Sequence, residues 1–109
     1  MTATSFQVID YEYYLWSSRT TGKTNLNLYG DDMRCAVWFV EDPEADLPAA
    51  SMPGGDRVEL WYHQWQLPTL LDMLRNESPV FVFFDDDNDF PNSRISTSQE
   101  PVGEGERRA

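Results

Sequence analysis

Apolar side chains recur at every second position along most of this chain and at every third or fourth in one short stretch. That restricts it to a sheet-rich domain carrying a single helix. The helical stretch is Gln64 to Glu77, where Leu67, Leu70, Leu71 and Leu74 fall on one stripe. Pro68 then has to sit in the first turn, where a missing N–H costs nothing. The alternating runs lie on either side. Asn25 to Tyr29 sets Leu26 and Leu28 against Asn25, Asn27 and Tyr29, and Arg57 to His63 sets Val58, Leu60 and Tyr62 against Arg57, Glu59, Trp61 and His63. Arg34 to Glu41 is an aromatic and β-branched run entered from a Gly30-Asp31-Asp32 hairpin loop. Val80 to Phe84 is apolar at both parities, as a central covered strand requires. Ser93 to Ser98 supplies a last strand.

Ser5 to Trp16 is the awkward segment. Phe6, Val8, Tyr14 and Trp16 share one parity and Ile9, Tyr11, Tyr13 and Leu15 the other, so both faces cannot be core throughout. A bulge or strong bend is expected near Asp10 to Glu12. Asp42 to Asp56, with its prolines, glycines and acids, reads as a surface loop. The fold expected is α+β: a mainly antiparallel curved β-sheet, or a partly open small barrel, of about six strands, with the helix between the fourth and fifth strands. Residues 1–99 form the domain, and 100–109 are expected to be a loose acidic, glycine-containing tail.

Charge narrows the partners. The 109 residues hold 19 acidic and 8 basic side chains, a formal net charge of −11. Such a field repels phosphates and anionic headgroups, so neither direct nucleic-acid contact nor membrane binding is expected. A basic protein partner would be drawn in faster. One cysteine and one histidine provide no zinc set and no internal disulfide. With no signal-like start, a cytoplasmic location is expected, and no cofactor is.

Three local patterns invite chemical readings. Ser17 to Thr24 matches the end of the phosphate-loop motif at Gly22-Lys23-Thr24, but a strand-like run follows where that loop needs a helix N-terminus. A hairpin turn is expected there. Asp85, Asp87 and Asp89 alternate as calcium ligands do, yet Phe90 and Ser96 stand where glycine and glutamate are needed. Cys35, in a buried-looking strand, reads as an inert small hydrophobe, while Asp10, Glu12 and His63 with the Asp85 to Asp89 cluster form the set that a small metal-dependent enzyme would use.

The aromatic content is the stronger signal. Tyr and Trp make up a large share of the strand residues, and a core this small cannot bury every ring. Some of Tyr11, Tyr13, Tyr29, Trp61 and Trp65 are expected at the surface, where such rings anchor interfaces. The reading is a small acidic, non-catalytic protein-binding domain of inhibitor or immunity type. Its anchors are Tyr11, Tyr13, Trp61 and Trp65, and its acidic rim Asp85, Asp86, Asp87 and Asp89. The alternatives are a metal-dependent enzyme or weak divalent-cation binder, and a homodimeric structural subunit.

Overall fold

The computed structural model describes residues 3–87 and 91–97. Eight strands and one helix are arranged as two sheets, an α+β architecture. The strands are β1 (Ala3–Gln7), β2 (Asp10–Leu15), β3 (Thr24–Tyr29), β4 (Arg34–Val40), β5 (Ser51–Gly54), β6 (Arg57–His63), β7 (Val80–Asp85) and β8 (Arg94–Thr97). A 3-10 turn at Gln64–Gln66 leads into α1 (Leu67–Asn76). The smaller sheet has the order β1-β7-β8 and the larger β2-β3-β4-β6-β5. Pairing is antiparallel except between β4 and β6, which run parallel.

Two expectations need correction. The strands do not close into a barrel, and α1 lies between the sixth and seventh strands rather than between the fourth and fifth. The helix is displaced by two extra strands, and the first arises because Ser5 to Trp16 is not one strand but two, in different sheets. The chain resolves its two apolar parities by changing sheets at Val8 and Ile9, just ahead of the expected bend. Val8 N–H donates to Val80 O (2.8 Å) in the small sheet, and Ile9 N–H donates to Tyr29 O (2.7 Å) in the large one. Phe6 and Val8 thus pack against the core from one sheet and Tyr11 from the other. The crossing is tight: a Cβ on Gly30 would stand 2.6 Å from Phe6 Cδ2 and 2.9 Å from Gln7 O. The second extra strand is β5, at the end of the expected surface loop, which pairs Ser51 with Glu59 and Gly54 with Arg57. It carries Pro53, which a sheet edge tolerates because no partner needs its N–H. The loop has to run the length of the sheet because parallel neighbours cannot be joined by a tight turn.

One core joins both sheets and the helix. Leu26, Leu28, Cys35, Val37, Phe39, Val58 and Leu60 from the large sheet meet Val80, Val82, Phe84 and Ile95 from the small one and Leu67 and Leu70 from α1. The central position expected for Val80 to Phe84 is realised, since β7 lies between β1 and β8. Pro68 sits in the first turn of α1. His63 N–H donates to Gln66 Oε1 (2.9 Å) and Thr24 Oγ1 to Gln64 Oε1 (2.9 Å), fixing the helix entry to the end of the sheet.

Candidate binding surface

Period-two alternation with this register gives the large sheet two unlike faces. The inner row Tyr13, Leu26, Val37, Leu60 turns to the core. One residue along, the outer row is Tyr14, Asn25, Trp38, Trp61. Trp16, two positions beyond Tyr14, stacks on it with centroids 5.3 Å apart and planes 15° off parallel. Trp38 and Trp61 lie 6.0 Å apart at 31°. Between the two pairs Asn25 is 7% exposed, and its Oδ1 accepts the indole N–H of Trp16 (2.6 Å). Arg19 rests over the Trp16 ring at 4.1 Å. A row of four rings and an amide therefore crosses four strands.

The face's charges pair internally. Arg57 meets Glu59 (2.9 Å), Lys23 meets Glu41 (3.5 Å), and Tyr29 donates to Glu12 (2.6 Å). This last bond, followed by desolvation, raises the phenol of Tyr29 above its ordinary value. Arg19, Lys23, Arg34 and Arg57 balance Asp10, Glu12, Glu41 and Glu59 on and beside the row, on a chain of net charge −11. Further acids lie in the loops at the two ends of β4: exposed Asp31 and Asp32 before it, and exposed Asp42, Glu44 and Asp46 after it. His63 Nε2–H donates to Ala45 O (2.9 Å), which ties the second loop to β6.

The anchors chosen from sequence do not form one patch. Trp61 belongs to the outer row. Tyr11 and Tyr13 share the inner face of β2, where Tyr11 packs on the core and Tyr13 is 38% exposed at the edge. Trp65, 68% exposed on the 3-10 turn, lies parallel to the His63 ring at 6.5 Å. Asp85 closes β7, with Asp86 and Asp87 following it. Asp85 and Asp87 line one cleft together with Trp61. Asp89 lies outside the described residues, as does the tail at 100–109. The sequence reading passed over Tyr14, Trp16 and Trp38 as anchors. The signal was present in the β2–β3 and β3–β4 hairpins, whose registers bring these rings into line with Asn25.

The catalytic set is not assembled. Asp10 lies at the Tyr29–Arg34–Arg57 end of the large sheet and His63 at the Val40 end, with two strands between theirs, while Asp85 is in the other sheet. Cys35 is buried, and burial pushes its thiol up to about 12. Among the described residues no group of three or more His, Cys, Asp or Glu side chains is placed to hold a metal ion, and no helix is long and apolar enough to cross a membrane. Ser17 to Lys23 forms the β2–β3 turn, with Gly22 at φ +59°, and β3 follows it as expected. Comparison with family models, curated proteins and solved structures found no match.

Proposed function

We propose that this is a small acidic, non-catalytic protein-binding domain that recognises its partner through the outer face of the large sheet. One observation carries the reading: four Tyr and Trp rings line up across the strands on a locally neutral face, with acidic loops at both ends of β4. Tyr, Trp and Arg are the residue types that dominate interface hot spots, because they bring large contact areas at small rotamer cost. The packing of Trp16 on Tyr14 and of Trp38 on Trp61 fixes these rings before any partner arrives, which reduces the ordering cost of association. The loop carboxylates and the net charge attract a partner with a basic rim, as an inhibitor or immunity protein does.

The two parts of the face act on different rates. Charge steering governs encounter and is screened within about 10 Å at 0.1 M salt, whereas ring contacts govern release. The immobilised full chain is expected to capture a protein at low salt with an association rate that falls as salt rises and a nearly constant dissociation rate. Trp38→Ala should lose that protein, and Asp72→Asn, on the exposed side of α1, should keep it. Equal capture by Trp38→Ala and the unsubstituted chain refutes the reading. Sedimentation that shows a dimer dissociated by Trp38→Ala would assign the face to a second copy of the chain instead.

A further inference from the structure

A second surface lies where the pairing of β5 stops. The register between β5 and β6 ends at Ser51 opposite Glu59, so β6 continues beyond it without a partner strand on that side among the described residues. There Leu60 and Tyr62 turn their N–H groups to β4 and His63 N–H is held by Gln66 Oε1, so the Trp61 backbone is what faces that side. The chain before β5 diverges there and leaves a cleft of about 450 Å³ between Leu47–Ala50 and Leu60–Tyr62. That volume is in the range of ordinary ligand sites, roughly 300–1,000 Å³. Its walls are mostly apolar, apart from Asp85 at the end of β7 and Asp87 and Ser93 in the connection to β8. The Ser93 hydroxyl is held between Asp85 N–H (2.9 Å) and Asp85 O (3.1 Å), and Asp85 Oδ1 accepts Asp87 N–H (3.0 Å). Tyr62 hydroxyl accepts Ile95 N–H (3.3 Å) and so joins the two sheets beside the cleft.

We infer that this cleft takes an extended segment of the partner protein, laid beside β6 and hydrogen-bonded to the Trp61 backbone, with an arginine or lysine side chain directed at Asp85. An uncovered strand edge provides backbone hydrogen bonding without side-chain preference, and the cleft provides the selection. The apolar walls suit the alkyl stem of a long cationic side chain, and the carboxylate end suits its head. The inference rests on the protein-binding reading and gives that partner a chemistry. Trp61 joins the two surfaces, because it stands in the ring row and lines the cleft.

The test uses the isotopically labelled full chain and a capped seven-residue peptide of alternating valine and threonine with one central arginine. A second peptide has citrulline, the neutral isostere, at the centre. The arginine peptide is expected to slow amide hydrogen exchange at Trp61, and citrulline to weaken binding at least tenfold. Asp85→Asn should reduce the arginine peptide to the level of the citrulline one at unchanged thermal stability. Ala49→Trp, at an exposed position, should fill the cleft and abolish binding. Unchanged exchange at Trp61 with millimolar peptide, or equal binding of the two peptides, overturns the inference. Trp38 is outside the cleft lining, and Ala49 and Asp85 are outside the ring row, so the two sets of variants let the cleft and the ring row fail separately.

Discussion

The two faces of the large sheet are built from the same strands and differ by one residue in phase. On the inner face Leu26, Leu28, Val37 and Val58 are wholly inaccessible, and Cys35 is nearly so. On the outer face Tyr14, Trp38 and Trp61 are half-buried by one another and by the strands beneath, and Trp16 is 39% exposed. The inner face is closed by a second sheet and a helix; the outer face has only its own rings and ion pairs for cover. Burial among many neighbours produces stability, whereas rings that shield mainly each other are left with surface for a partner.

That contrast can be attacked from the inner face first. Leu26→Ala is expected to lower unfolding stability by about 2–5 kcal/mol, read from denaturant midpoints, because the close-packed core collapses only partly around the cavity. A loss below about 1 kcal/mol would mean that the inner face is not the stabilising one.

Alkaline pH gives the next largest effect. The folded thiol of Cys35 titrates near 12 against an ordinary value of 9.0, and burial also raises the phenol of Tyr62. The unfolded chain therefore loses these protons first. Stability is complete below pH 9 and falls as pH rises towards 12, by roughly 4 kcal/mol from the thiol. Cys35→Ala should flatten that decline in denaturation series between pH 8 and 11, and an unchanged slope would refute the assignment. The thiol of the native chain should also resist alkylation at pH 8.

The sheet crossing is sharpened by Gly30→Ala, whose added methyl meets Phe6 and the Gln7 carbonyl. The backbone carbonyl cannot move aside cheaply, and thermal unfolding should report a loss of about 1–3 kcal/mol. The smallest effect on stability belongs to the outer face. Trp38→Ala should cost about 1 kcal/mol, the worth of a ring pair, while reducing partner affinity by more than tenfold. Calorimetry and binding on the same preparation would separate the two. A stability loss equal to that of Leu26→Ala would erase the distinction between the faces.

Local pattern carried much of the architecture. The inner face was legible because Leu26, Leu28, Val58 and Leu60 alternate with polar neighbours, and α1 because its leucines fall at helical spacing around a tolerated Pro68. β5 was hidden by Pro53 and Gly54, which weaken strand signals although an edge accepts both. Of the surface residues, Trp61 was legible from its polar parity. Tyr11 was misplaced because parity says nothing about which of two faces the rest of the chain will cover.

By itself the sequence determined the α+β class, the helix at Leu67 to Leu74, the excess of rings over interior volume and the negative field, because these depend on period and composition. Tertiary structure alone decided the change of sheet at Val8 and Ile9, the parallel joining of β4 to β6, and the alignment of Tyr14, Asn25, Trp38 and Trp61 into one row. Those depend on strand register between distant segments, and register is set by which faces find cover when the whole chain packs.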